Sequence, residues 1–376
     1  MPCARPAPLY IYSRIKKKEE KSVKAGDFSE PAPDFASLLN VLTGNSPPAR
    51  IPFIDLFADQ AMKEHLLGRP VAPSFSLDAE DMRRQVDDEI EFRLRMGYDY
   101  IDVCPLVYFG TNFQTSTASD RIWITEATTI ISSREDYEKH LWPDPASVDC
   151  SQMEYAASRL PAGMQIIPRI AGVFENVTWL TGLENLSYLL VDDPQLVDDL
   201  FEAVGSVLLA VARRLAQMDG VGALFMGDDL GFRTGTLLSP EHLRRYVFPW
   251  QKRICEVTHN CGIPFLLHSC GNIEKIMDDL LEDVKIDARH SFEDAVLPVE
   301  QAVERYGDRI AILGGVDMDL LARGSEEQVR ARTREILKKC APTGRYAVGT
   351  GNSVASYLNP SNYLAMLDEA RNLYCS

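Results

Sequence analysis

Residues 221–270 read VGALFMGDDLGFRTGTLLSPEHLRRYVFPWQKRICEVTHNCGIPFLLHSC and hold one complete strand–helix–strand unit. Val221–Gly227 is an unbroken apolar run of strand length. Ser239-Pro240-Glu241 supplies an N-cap with proline at the first helical position, which opens a helix to about Cys261. Pro264–His268 is a second apolar run. Two buried strands joined through a helix lie parallel, because a crossover of that length returns the chain to the same edge.

The same rhythm extends in both directions. Upstream, Arg50–Phe57 (RIPFIDLF) reads as a first strand, Asp78–Met96 as an acidic helix closed by Gly97, Tyr98–Pro105 (YDYIDVCP) as a second strand, Met164–Ala171 as a third and Pro194–Met218 as a long helix. Downstream, Ile273–Leu281 reads as helix, Lys285–His290 as strand six, Val299–Tyr306 as helix, Arg309–Gly314 as strand seven, Glu326–Cys340 as helix, Tyr346–Gly349 as the start of strand eight and Asn359–Tyr374 as the last helix. Residues 106–147 interrupt the pattern with alternating Thr, Ser and aromatic positions, which predicts a hairpin insertion after strand two. Eight strands, each followed by a helix, predict an α/β protein with a closed (β/α)8 barrel over residues 48–376. An open doubly wound sheet is disfavoured, since no Gly-rich dinucleotide fingerprint follows the first strand. Residues 1–47, with the run Lys16–Lys21 and several prolines, read as a solvated arm carrying one helix near Phe35–Leu42.

Active sites of such barrels lie at the C-terminal ends of the strands. The polar residues expected there are Asp55 and Asp59, Asp102 and Cys104, Arg169, Asp228 and Asp229, His268 and Cys270, His290, Asp317, Thr350 and Asn352. His268 and Cys270, at i and i+2 where a strand ends, can project to one side, and imidazole with thiolate suits Zn2+. The other reading makes His268 a hydrogen-bonded strand end and Cys270 a packing residue. Asp228 and Asp229 are candidates for acid–base work, since adjacent carboxylates raise one another's pKa. Asp317 follows Gly314-Gly315 and is either catalytic or a helix N-cap. Arg169 is a carboxylate clamp or a counter-ion to the surrounding acids. His290 faces substrate or metal, or is a satisfied core histidine.

The chain has 376 residues, 45% hydrophobic and 25% charged, and a formal charge of −16. That balance excludes a nucleic-acid or anionic-membrane partner, because phosphate recognition needs concentrated positive charge. Eight scattered cysteines predict a reducing, cytoplasmic setting rather than a disulfide framework. No apolar run reaches the roughly 20 residues of a membrane span, and the first residues lack a signal-peptide core. A homodimer is compatible with these features but not specified by them.

From about residue 50 onward the chain resembles the uroporphyrinogen decarboxylase superfamily. The stretches that carry the resemblance are GDDLGFRTGTLLSPEHLRRYVFPWQKRI, PFLLHSCGNIEKIMDDL, HSFEDAVLPVEQAVERYGDRIAILGGVDMDLL and GTGNSVASYLNPSNYLAMLDEA. The resemblance implies a (β/α)8 barrel with a deep cleft at its C-terminal face. The decarboxylases themselves carry an N-terminal motif resembling RQAGRY, where this chain reads ARIPFIDLFADQ. They carry an acid in a Ser-Asp-Ile/Leu motif, where it reads DVCPLVYF. Their Gly-His-Gly is here Gly349-Thr350-Gly351. The superfamily's zinc-dependent methyltransferases have a His-x-Cys pair that His268-Ser269-Cys270 matches, and a further cysteine ligand that falls at Thr350. The resemblance therefore implies a zinc methyltransferase acting with a corrinoid protein on a small methylated substrate, a folate or a thiol. His268 and Cys270 would hold Zn2+, one of Asp228, Asp229, His290 or Glu175 would replace the missing ligand, and Asp102, Arg169, His290, Thr350 and Asn352 would bind substrate. The alternatives are a metal-free decarboxylase of a polycarboxylate, clamped by Arg169, and a non-catalytic barrel that binds a corrinoid protein or a tetrapyrrole.

Overall fold

The computed structural model describes residues 32–46, 48–74, 76, 78–110, 113–115, 122–124 and 129–372. The Lys16–Lys21 run of the arm lies outside the described residues. Among the described residues seven parallel strands form one sheet: β1 (Tyr100–Val103), β2 (Gln165–Ala171), β3 (Leu224–Gly227), β4 (Phe265–His268), β5 (Ala288–His290), β6 (Ala311–Leu313) and β7 (Tyr346–Ala347). Each strand pairs with the next along the chain. Their side chains are mostly buried, as in Phe265–His268, so both faces are covered and the strands are apolar without alternation. The expected barrel is present.

Its first strand is reduced. Residues 52–58 make single parallel bridges, Phe53 to Val348 and Ala58 to Val354, on the side of β7. Toward β1 the ladder is replaced by a side chain. The Tyr100 hydroxyl accepts from the Asp55 N–H at 3.0 Å and donates to the Asp55 carbonyl at 2.6 Å. Gly349 permits this closure, because a Cβ there would stand 1.7 Å from the Ile54 carbonyl oxygen. Behind the seam, the fully buried Arg93 pairs with Glu89, donates to Tyr100 and lies 4.7 Å from the ring centres of Tyr98 and Tyr100.

The helices follow their sequence signals where those are strong. Ala79–Met96 is capped by the Asp78 carboxylate on the Glu80 and Asp81 N–H groups and ends at Gly97 with φ 77°. Val299–Tyr306 and Glu326–Cys340 match their expected bounds. The helix at Phe35–Thr43, placed in the arm by sequence, buries Phe35, Leu38, Val41 and Leu42 and packs near the N-terminal ends of the strands.

Other elements differ from expectation for definable reasons. The stretch 240–261 is two helices, Pro240–Tyr246 and Phe248–Asn260, broken at Val247. Pro249 has no N–H to offer the carbonyl of Arg245, so a continuous helix would lose that bond. The region 273–284 is a 3-10 turn, Glu274–Ile276, then a π turn, Asp279–Val284. Two further helices, Val173–Thr181 and Leu183–Asp192, precede the long helix Pro194–Leu215. The first of these is apolar on most sides, so it carries little amphipathic signal. The expected hairpin is Phe113–Thr115 against Ile122–Ile124, and a second, smaller one joins Gly231–Phe232 to Gly235–Thr236. No helix among the described residues is long and apolar enough to cross a membrane.

Candidate metal centre at the barrel mouth

Sheet register assembles the site. Gly227 is opposite His268 and His268 is opposite His290, so the ends of β3, β4 and β5 form one tier. The residues that follow each strand, Asp228-Asp229, Ser269-Cys270 and Ser291, stand directly above it. Gly271 then turns the chain with φ 76°, and a Cβ there would meet the Gly231 backbone at 2.4 Å. This close approach lets the Asn272 N–H donate to the Phe232 carbonyl at 2.8 Å and the Cys270 N–H donate to Asp229 Oδ1 at 2.8 Å.

Asp229, His268 and Cys270 thereby converge, with one ligand atom from each lying within 4.8 Å of the others. Cys270 Sγ is 3.4 Å from His268 Nε2, and that nitrogen is 3.6 Å from Asp229 Oδ1. The Asn352 amide donates to Sγ at 3.3 Å, and the Ser291 hydroxyl is 3.8 Å from it. Burial, and then the charge of Asp229, push the Cys270 thiol well above its ordinary value. The surrounding donors are what a thiolate needs once an ion displaces the proton. Burial also lowers His268 to about 3, helped by Arg169 and Arg289, so its imidazole is neutral.

A nitrogen, a sulfur and a carboxylate oxygen at these separations fit a zinc ion with an open fourth position. The ring orientation fits as well. His268 Nδ1 lies 2.7 Å from His290 Nδ1, and His290 Nε2 faces the Thr350 carbonyl, in a geometry short of a regular hydrogen bond. Burial holds His290 neutral. With its single proton on Nε2, toward the carbonyl, its Nδ1 must accept from His268 Nδ1–H. The lone pair of His268 Nε2 is then directed at the cluster.

The remaining sequence candidates separate into groups. Asp228 is fully buried and turned away from Cys270. Its carboxylate accepts from the Phe174 and Glu175 N–H groups at 3.4 and 3.0 Å and from the Gln251 amide at 2.9 Å, and burial raises it to about 7. Glu175 stands beside Asp229; burial, then the charges of Asp229 and Asp228, hold it well above the carboxylate range. Thr350 does not face the cluster with its side chain. Its hydroxyl and N–H both donate to Asp55 Oδ1, at 2.6 and 2.8 Å, while Tyr98 donates to Asp55 Oδ2. His290 lies wholly buried behind His268 rather than toward substrate. Asp317 caps the helix Met318–Arg323 through the Asp319 and Leu320 N–H groups and accepts from Asp294 N–H, so the structure gives it the capping role. Arg169 and Asp102 pair at 3.4 Å on the facing wall, with the guanidinium 4.8 Å from the Phe57 ring centre. Asp102 Oδ1 and Arg169 Nε, both buried, have no hydrogen-bond partner among the described residues. Asp59 accepts from the Ser356 N–H at 2.7 Å, and Cys104 is exposed. Gln251 and Ser291 were not identified from sequence. Ser291 was within reach as the neighbour of His290 at a strand end, whereas Gln251, inside a helix, carried no signal.

Residues 127–373 match the family described as uroporphyrinogen decarboxylase (URO-D). Among curated relatives, the chain is 24% identical over 190 residues to a uroporphyrinogen decarboxylase of Anaeromyxobacter dehalogenans, covering 50% of this chain and 51% of that one. It is 28% identical over 141 residues to the methylcobamide:CoM methyltransferase MtbA of Methanosarcina mazei, covering 36% and 38%. The matches thus span about half, or less, of the relatives' length. A solved structure, a methyltransferase from Methanosarcina mazei, superposes with a TM-score of 0.71 over 90% of this chain and 98% of that one at 15% identity, a likeness of fold. With more than half of its length matched and the barrel in place, the chain belongs to the uroporphyrinogen decarboxylase family.

Proposed function

We propose that the chain is a zinc-dependent methyltransferase that moves a methyl group between a small methylated substrate, a folate or a thiol, and a corrinoid protein. The supporting observation is the Asp229–His268–Cys270 trio, in which Asp229 offers from a different strand end the third ligand that Thr350 does not. When bound, zinc supplies Lewis-acid polarisation of the heteroatom that carries or receives the methyl group. The other roles belong to side chains. Asn352 and Ser291 stabilise the Cys270 sulfur, His290 orients His268, and the unused Asp102 Oδ1 and Arg169 Nε offer an acceptor and a donor to substrate. In the demethylating direction, the carbon–heteroatom bond breaks, the heteroatom keeps the electron pair and the methyl passes to the corrinoid. Glu175, beside Asp229, is placed to give the heteroatom its proton.

A polycarboxylate substrate suits this mouth less well. Asp229 and Asp102 make it acidic, and Arg169 is already paired with Asp102. Metal analysis of the purified protein, with a methyl-transfer assay on reduced cobalamin, tests the reading. An equivalent of zinc that disappears in both Cys270→Ala and Asp229→Asn is expected. Zinc at background, or unchanged in both variants, would sink it.

A further inference from the structure

A second group of metal-ligating side chains lies at the opposite end of the barrel. Cys255 and His259 are four residues apart on the helix Phe248–Asn260, so they share one helix face. Asp287 immediately precedes β5 and reaches the same point from the sheet. One ligand atom from each lies within 4.8 Å of the others. We propose that Cys255, His259 and Asp287 form a second cation site, for a thiophilic divalent ion of the Zn2+ class, separate from the mouth.

The separations are those such an ion requires. Cys255 Sγ is 3.6 Å from His259 Nε2. A tetrahedral zinc with Zn–S of about 2.3 Å and Zn–N of about 2.0 Å places sulfur and nitrogen about 3.5 Å apart. His259 Nε2 also lies 2.7 Å from Asp287 Oδ2, a hydrogen bond that the ion would replace by opening the pair about half an ångström. The two side chains have room for that, being 38% and 25% exposed. A cleft of about 330 Å³ is lined by Cys255 and His259 together with Glu256, Asn260 and Asp283, and provides space for a water or a carboxylate as fourth ligand.

The anchoring is specific to this position. Asp287 is held by the Phe265 N–H at 2.7 Å. The Cys255 thiol donates to the Lys285 carbonyl at 3.2 Å, and Lys285 is the one non-glycine among the described residues with positive φ, at 65°. Burial pushes the Cys255 thiol up, so without metal it stays protonated. Metal binding would release that proton to solvent and form the sulfur–metal bond with no change of oxidation state. The charges around the site are mixed. Lys252 is neutralised by Asp283 at 2.6 Å, whereas the Lys285 ammonium works against a cation and Glu256 and Asp287 favour it.

The position argues for a fastening role rather than chemistry. Phe265 opens β4 and Asp287 leads into β5, the N-terminal face of the barrel, where residues contribute stability. An ion here would tie the helix Phe248–Asn260 to the start of β5.

The test is zinc titration of the full chain after chelator treatment, with cobalt as an optical probe for thiolate ligation. A Cys270→Ala protein should retain one equivalent of zinc through gel filtration, show a thiolate-to-cobalt charge-transfer band, and unfold at a higher temperature with zinc than without. Adding Cys255→Ser to that background should abolish all three. His259→Asn, at a half-exposed position that leaves the core intact, should weaken zinc binding at least about tenfold. Retention of zinc in the Cys255→Ser/Cys270→Ala protein, or no zinc in Cys270→Ala, would overturn the proposal. Wild-type protein that loses its zinc with Cys255→Ser but not with Cys270→Ala would uphold this site and refute the mouth as a metal centre.

Discussion

His268 Nδ1 and His290 Nδ1 are 2.7 Å apart in the barrel interior, with 4% and 0% of the two residues exposed. Two nitrogens at that distance share one proton. Because His290 Nε2 faces the Thr350 carbonyl, the shared proton belongs to His268 and leaves its other nitrogen bare. His290→Phe, which can neither accept nor donate, should lower zinc affinity at the mouth about 10- to 100-fold. His290→Gln, able to accept from His268 and donate to the carbonyl, should recover much of that loss. Competitive zinc titration of both variants reads the difference; equal affinities in Phe and Gln would refute the orienting role.

The adjacent acids should separate cleanly. Asp229→Asn should empty the mouth of zinc and leave the melting temperature of the zinc-free protein little changed, since Asp229 is partly exposed. Asp228→Asn should instead destabilise the fold by about 1–3 kcal/mol, because its amide turns donors toward the Phe174, Glu175 and Gln251 donors. Thermal melts paired with metal analysis decide this, and the reverse pattern would refute the assignment.

Gly271→Ala probes the turn that holds Cys270. Its φ of 76° and the 2.4 Å approach to the Gly231 backbone leave no space for a methyl group. The expected cost is about 1–3 kcal/mol in urea unfolding, with loss of the Cys270–Asp229 contact and hence of zinc. A variant with wild-type stability and zinc content would show that the turn tolerates a side chain.

Asp99 gives a pH signature away from the mouth. Its burial outweighs the ion pair with Arg50 and raises it to about 6. The folded state therefore holds a proton that the unfolded chain releases near pH 4. The stability it contributes is present below pH 4 and is lost as pH rises through 6, by about 3 kcal/mol in all. Asp99→Asn removes that loss, so wild type should weaken relative to the variant between pH 4 and 7. Parallel denaturation curves across that window would exclude the shift.

Much of this was legible from local pattern. The strands were found because buried parallel strands are short apolar runs, and the helix Ala79–Met96, with Asp78 and Gly97 marking its two ends, was bounded to within a residue. The helix Val173–Thr181 was not, although its N-terminus binds Asp228, because a helix buried on most sides shows no stripe. At the mouth, His268 and Cys270 were legible because two strand-end residues at i and i+2 meet without help from the rest of the fold.

The chain alone determined the barrel, the end of it where polar residues gather, and the pairing of His268 with Cys270, since each depends on periodicity or on neighbours in sequence. Which carboxylate joins them was decided by tertiary structure. Asp228 and Asp229 are indistinguishable as letters, but the turn at Gly271 and the helix beginning at Val173 pull them to opposite sides. The same holds for Thr350, tied to Asp55 from 295 residues away, and for Asp287, brought beside Cys255 and His259. Contacts across such separations depend on register and closure of the sheet, and no local pattern encodes them.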